Sequence, residues 1–245
     1  MPADQISADH VTVPADPHPF GFDPARTALI LIDMQRDFVE AGGFGETLGN
    51  DVSLLRTVIS PLQAVLAATR AVGMAVIHTR EGHRPDLTDC PPTKLNRGNP
   101  TMRIGDVGPH GRILIRGEYG HDIIDELAPL AGEIIIDKPG KGSFYATELH
   151  QLLATAGIDN LIVTGVTTEV CVHTTVREAN DRGYECLVLS DCVGSYFPEF
   201  QQAGLAMIAA QGGIFGWVAP SRAYLDALSA ASPAAVVAAT GRERS

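Results

Sequence analysis

Six short runs rich in Ile, Leu and Val recur along the chain with longer segments between them, and this alternation limits the fold more than any other feature. The runs cover residues 28–33, 74–78, 133–137, 160–166, 185–189 and 213–218. Each is brief and nearly uncharged inside, as expected for strands buried on both faces, and such strands belong to parallel sheets covered by crossover helices. Between the first two runs, residues 52–72 place Leu54, Leu55, Val58, Ile59, Leu62, Val65 and Leu66 at helical spacing, with Gly73 as a stop, and are predicted to form one long helix. Shorter helices are predicted over 121–130, 147–156, 169–182 and 199–211, two of them stopped by Gly157 and Gly183. The fold class is therefore α/β: a Rossmann-like three-layer α-β-α arrangement around a six-stranded parallel sheet.

At 245 residues, 45% hydrophobic and 19% charged, the chain has the composition of one globular domain over residues 1–245. Residues 1–22 read as an N-terminal arm and 227–245 as a frayed tail. Residues 82–119, rich in Pro, Gly, Arg and Asp, read as a long excursion suited to a lid or a subunit contact. A net charge of −11 lacks the basic footprint that nucleic acid requires, so no nucleic-acid partner is expected. The first twenty residues hold no apolar stretch of signal-peptide length, and the least polar tract, 227–240, is broken by Pro233. No membrane partner is expected, and the expected location is the cytoplasm. The four cysteines, Cys90, Cys171, Cys186 and Cys192, show no metal-ligand spacing and fit reduced thiols.

Open parallel sheets bind ligands beyond the carboxyl ends of their strands, so residues just after each run are the candidates. Three stand out. Asp33 closes the first run, Lys138 follows the third, and Cys171 comes shortly after the fourth, in the segment 164–172. Thr167 or Thr168 can cap a helix there, putting Cys171 in its first turn, where unpaired amides and the dipole favour a thiolate and could hold an oxyanion. Asp33, within reach of such a thiol, can act as a general base, and an ammonium at Lys138 would keep both groups charged. Each has a plainer alternative: a small buried hydrophobe for Cys171, and a turn or cap aspartate for Asp33. Lys141 is either a surface lysine or a contact to a substrate carbonyl. The glycines at 140 and 142 miss the spacing of a phosphate loop. A Cys-His pair is the rival machinery, with His78 at the end of the second run the one that cannot be set aside.

Together these residues resemble the isochorismatase-like cysteine hydrolases, which carry an aspartate after the first strand, a lysine after the third and a cysteine in a Gly-x-x-Thr-x-x-Cys turn, here Gly165, Thr168 and Cys171. The likeness spans about residues 28–218. It implies Cys171 as nucleophile, Asp33 as proton shuttle, Lys138 as their support, a cis peptide between Val166 and Thr167, and an oxyanion hole from the backbone amides of Thr167 and Cys171. A cysteine at this position argues against a true isochorismatase. The Asp-Trp-His-Pro metal segment of nicotinamidases is replaced here by Thr79-Arg80-Glu81-Gly82-His83, so no metal and no cofactor are expected. Segments 78–87, 137–144 and 177–185 are similar to biuret hydrolases, which implies hydrolysis of biuret to allophanate and ammonia, with Gln211 and Lys141 holding the ureide. Gln211 can donate and accept to a urea-like end, or it can simply face water. Phe38 either closes the pocket or is core. Tyr145 stands where a smaller residue is expected in a biuret enzyme, which points toward triuret. Residues 214–218 are similar to ureidoacrylate hydrolases, which keeps that carbamoyl amide as the alternative. The resemblance implies a homotetramer. A non-catalytic nucleotide-binding α/β domain is the reading from a different class, weakened by the absence of a GxGxxG fingerprint.

Overall fold

The computed structural model describes residues 10–98 and 101–231. All six predicted strands form, the sixth only from Trp217 because residues 213–216 are a helix end and a turn: β1 (Thr27–Ile32), β2 (Ala75–Glu81), β3 (Ile134–Lys138), β4 (Asn160–Val166), β5 (Glu185–Gly194) and β6 (Trp217–Ala219). They make one sheet, parallel throughout, in the order β3-β2-β1-β4-β5-β6. That order reverses direction between β1 and β4, and the crevice at such a reversal is where doubly wound sheets bind their ligands.

The alternation within β1 divides the core. Leu29 and Leu31 point to one face and Ala28, Ile30 and Ile32 to the other, all buried. On the first face lie α1 (Val52–Arg56), α2 (Ile59–Ala71) and α6 (Ser221–Ala231), through Leu55, Leu62, Val65, Tyr224 and Leu228. On the second lie α3 (Leu149–Thr155), α4 (His173–Asn180) and α5 (Pro198–Gly213), through Leu149, Leu153, Val176 and Ile208. The stretch Val52–Ala71 is long and apolar enough to cross a membrane by length and composition. Here its apolar face is core instead, packed on the sheet.

Four expectations change. The predicted helix 52–72 is two helices that break at Thr57 and Val58. The predicted helix 121–130 is only a single turn, Asp125–Leu127, because its backbone is claimed elsewhere: Ile124 N donates to Met34 O and Arg36 N donates to Asp122 O. The arm at 1–22 is more than an arm. Val11–Val13 and Phe20–Phe22 form a hairpin whose Val11, Val13, Phe20 and Phe22 join the first-face core, the alternating pattern of a half-buried ribbon. The tail begins later than 227, since α6 runs to Ala231 and buries Leu228; positions 232–245 lie outside the described residues. The excursion after β2 holds a helical turn, Pro92–Leu95, and a small hairpin, Val107–Gly108 with Gly111–Arg112.

Gly165, the sixth residue of β4, has φ +106, and a Cβ there would sit 2.1 Å from the Ile32 carbonyl oxygen on β1. The sheet centre closes only because this side chain is absent. Gly73, at φ +72 after α2, has open space instead. Urea denaturation should therefore find Gly165→Ala destabilised by about 3 kcal/mol and Gly73→Ala by about 1 kcal/mol; equal costs would contradict the close approach.

Candidate active site

Asp33, Lys138 and Cys171 meet at the carboxyl edge of the sheet. Strand register explains how: Ile32 pairs with Thr79 on β2 and with Gly165 on β4, while Glu81 on β2 pairs with Lys138 on β3. Asp33, one residue past β1 and itself in the left-handed region at φ +52, thus stands between the other two. Its Oδ1 accepts from Thr79 Oγ1 at 2.8 Å, and its Oδ2 lies 2.7 Å from Lys138 Nζ. A carboxylate oxygen has two lone pairs, so Oδ2 keeps capacity for an incoming proton beside this ion pair. Lys138 Nζ also donates to the carbonyls of Gly140 and Lys141, at 3.1 and 2.8 Å. Burial pulls its pKa down, but Asp33, Cys171 and Glu81 outweigh this and raise it above the ordinary lysine value, so it stays an ammonium.

Cys171 lies in a π-helical turn, Thr168–Val172, that leads into α4; such turns are frequent at functional sites. The peptide between Val166 and Thr167 is cis. Neither threonine caps the turn with its hydroxyl as expected. The Thr167 carbonyl accepts from Val170 N and Val172 N, and Thr168 Oγ1 donates instead to Gln201 Oε1 on α5. Gln201 in turn donates to the carbonyls of Ser190 and Val193, which ties the turn to β5. The expected thiolate is also corrected. Burial, joined by the charges of Asp33 and Glu81, pushes the Cys171 thiol well above its ordinary pKa despite Lys138 and Lys141. The resting group is a thiol, which would need a base to act as a nucleophile.

Glu81 was not singled out by the sequence, yet it is the sulfur's hydrogen-bond partner: Cys171 Sγ donates to Glu81 Oε2 at 3.6 Å. The carboxylate is fully buried. Its Oε1 accepts from Lys94 Nζ at 3.0 Å and Lys141 Nζ at 2.8 Å, and Oε2 is 3.1 Å from Lys141 Nζ. Burial would raise its pKa, but Lys141, Lys138 and Lys94 together hold it down at about 2. Lys94 comes from the 82–119 excursion, whose contribution to the site no local pattern announced. Donor atoms of Asp33, Glu81 and Cys171 lie within 4.8 Å of one another and could in principle hold a cation. Ammonium groups already face both carboxylates, so a divalent ion would meet three positive neighbours.

A cavity of about 210 Å³ opens onto the sulfur, lined by Phe38, Glu81, Lys141, Thr167, Cys171 and Tyr196 among others. Phe38, Lys141 and Thr167 are thus where a substrate would meet them. Tyr196 Oη donates to the Phe38 carbonyl at 2.6 Å and fixes that wall. Gln211 is not brought in: it is exposed, at φ +54 in the left-handed end of α5, and does not line the cavity. Tyr145 lines a separate, larger cavity of about 510 Å³ that shares Lys141. The rival histidines are occupied elsewhere. His78 Nε2 meets Glu133 Oε2 at 3.0 Å, His83 Nδ1 meets Asp89 Oδ1 at 3.2 Å, and His173 Nδ1 accepts from Arg177 Nε at 2.9 Å. Among the described residues, none of them bonds to Cys171, Asp33 or Lys138.

The chain is similar to several known proteins. The isochorismatase domain family matches residues 27–220. A ureidoacrylate amidohydrolase of Klebsiella pneumoniae is 34% identical over 238 residues, covering 92% of this chain and 97% of that protein. Among solved structures, a cysteine hydrolase from Pseudomonas syringae is similar at TM-score 0.73 and 28% identity, covering 92% of this chain and 100% of the other. An isochorismatase family protein from Desulfovibrio vulgaris is similar at TM-score 0.69 and 26% identity, covering 83% and 98%.

The histidines give a pH prediction. Burial lowers the pKa of His78, His83, His121 and His173, that of His121 to about 4 from an ordinary 6.5. An unfolded chain binds protons near pH 6.5 that the folded chain refuses, so stability is full above that pH and is lost as pH falls toward about 4. Thermal denaturation across this window should show a falling midpoint, with a shallower slope in His121→Gln; a flat profile would contradict the assignment.

Proposed function

The chain belongs to the isochorismatase family, and on that premise we propose that it is a cysteine-dependent amidohydrolase of a small ureide, converting biuret and water to allophanate and ammonia. The observation that carries the reading is the buried contact of Asp33 with Lys138 beside the Cys171 thiol. Asp33 takes the thiol proton as sulfur attacks a terminal carbonyl of the ureide, forming a C–S bond and an oxyanion. The backbone amides of Thr167 and Cys171 hold that oxyanion. Protonated Asp33 then gives its proton to the departing nitrogen, the C–N bond breaks, and ammonia leaves. Water, deprotonated by Asp33, attacks the thioester, and the C–S bond breaks to release the acid and restore the thiol. Lys138 holds the carboxylate in place and balances its charge throughout.

The size of the cavity supports a small substrate, since about 210 Å³ falls below the range of pockets that enclose drug-sized ligands. Lys141 contacts a substrate carbonyl in this reading and Phe38 covers the ligand. The similarity of residues 78–87, 137–144 and 177–185 to biuret hydrolases favours biuret. Ureidoacrylate is the second reading, favoured by the Klebsiella pneumoniae relative, whose name states that substrate. The same proposal includes a cytoplasmic homo-oligomer, supported by the exposed Phe197, Phe200 and Met207 around α5. No metal takes part in it.

Purified protein incubated with biuret should release ammonia, and Cys171→Ala should lose roughly a thousandfold or more of that rate. Equal rates would return the chain to the class of non-catalytic α/β domains. A preference for ureidoacrylate over biuret and triuret in the same assay would replace the substrate. Activity should survive a chelator.

A further inference from the structure

We propose that Glu81 is a specificity-determining residue of this cavity: its Oε2, which accepts from the Cys171 thiol, takes a substrate N–H beside the reacting carbonyl once sulfur gives up its proton. The proposal rests on the amidohydrolase reading and names its substrate class, acyl groups that carry N–H next to the carbonyl rather than simple carboxamides. Oε1 is already occupied by Lys94 and Lys141, whereas Oε2 faces the sulfur and has only Lys141 at 3.1 Å and the thiol at 3.6 Å. Glu81 is fully buried and lines the cavity. When the proton moves from sulfur to Asp33, Oε2 loses the thiol and keeps Lys141 as its donor. A buried carboxylate oxygen left short of a donor is costly, and that cost is what a substrate N–H removes.

The lysines do not serve this purpose. They donate hydrogen bonds and so can meet a substrate carbonyl oxygen, but they cannot accept an N–H. Asp33 is the other carboxylate within 4.8 Å, and it is occupied with the proton at that moment. A ureide such as biuret carries a nitrogen where malonamide carries a methylene. Sites built to accept a hydrogen bond discriminate strongly against an analogue lacking the donor.

Two measurements test the assignment. The first is binding of biuret and malonamide to Cys171→Ala protein by calorimetry, with and without Glu81→Gln. Cys171→Ala should bind biuret at least roughly tenfold more tightly than malonamide, and the added Glu81→Gln should bring the two within about threefold. Equal binding with Glu81 in place, or a preference that survives its replacement, would overturn the proposal. The second needs no substrate: the pH dependence of Cys171 alkylation by iodoacetamide, read by mass spectrometry. Glu81 raises the thiol pKa, so Glu81→Gln should move the midpoint at least about one unit toward acid, whereas Glu81→Asp, which keeps the charge, should leave it near that of the unaltered protein. Unchanged midpoints in Glu81→Gln would show that the carboxylate does not face the sulfur, and that result would reject the assignment. Failure to bind biuret together with the acid shift would instead remove biuret as substrate and leave Glu81 as the sulfur's partner.

Discussion

The ion pair between Asp33 and Lys138 organises the site, and the rest of the carboxyl edge is arranged to tolerate it. Both side chains are fully buried, and two charges withdrawn from water recover that cost only with further polar partners. Those partners are present: Thr79 for the carboxylate, and the carbonyls of Gly140 and Lys141 for the ammonium. Each arrives from a strand or loop fixed by the parallel register. Hydrophobic residues of similar volume would fill this space more cheaply, so a pair of this kind is poor evidence for stability and good evidence for chemistry. The same reasoning accounts for Gly165, whose missing side chain lets β4 approach β1 closely enough to bring the cysteine turn to the aspartate.

What the sequence disclosed follows from this geometry. Asp33 and Cys171 were legible because each comes after an apolar run that marks the end of its strand, and Lys138 because it closes β3 one residue past the predicted run. Glu81 was hidden because β2 does not stop where its apolar run stops. Past His78 the strand continues through Arg80 and Glu81, and Arg80 is accommodated by Asp137 on β3 through two hydrogen bonds. A charged strand end looks like a loop when the neighbours that pair with it are distant in sequence. Lys94, from a segment without periodicity, was hidden for the same reason. The hairpin before β1 escaped because its two strands are three residues each, too short for alternation to register. Gln211 errs in the other direction: a resemblance pointed to it, and the backbone turns it toward solvent.

The state of the sulfur shows where local reasoning gives way to summed electrostatics. A cysteine in the opening turn of a helix gains from the dipole, an effect worth under about 1 kcal/mol at exposed sites. Complete burial and two carboxylates near Sγ act against it here and win. The thiol then has a defined donor direction, toward Glu81, and in the proposed reaction its base is Asp33. A thiol held neutral until a base is needed is also less open to oxidation than a standing thiolate.

Five charged groups surround the sulfur. Lys138, Lys141 and Lys94 face Asp33 and Glu81, three positive charges against two negative, with the thiol neutral. In the proposed reaction a neutral ureide adds no charge, and the proton only moves from sulfur to Asp33. The total therefore stays constant while one negative charge migrates from the carboxylate, through sulfur, to the oxyanion. Stationary ammonium groups that keep a positive excess favour every position along that path and need no reorganisation as the charge moves, the condition under which preorganised electrostatics is most effective. Lys141 and Lys94 sit at the Glu81 end of that path and Lys138 at the Asp33 end, so the sulfur works between two cationic poles, each with its own carboxylate to keep it in place.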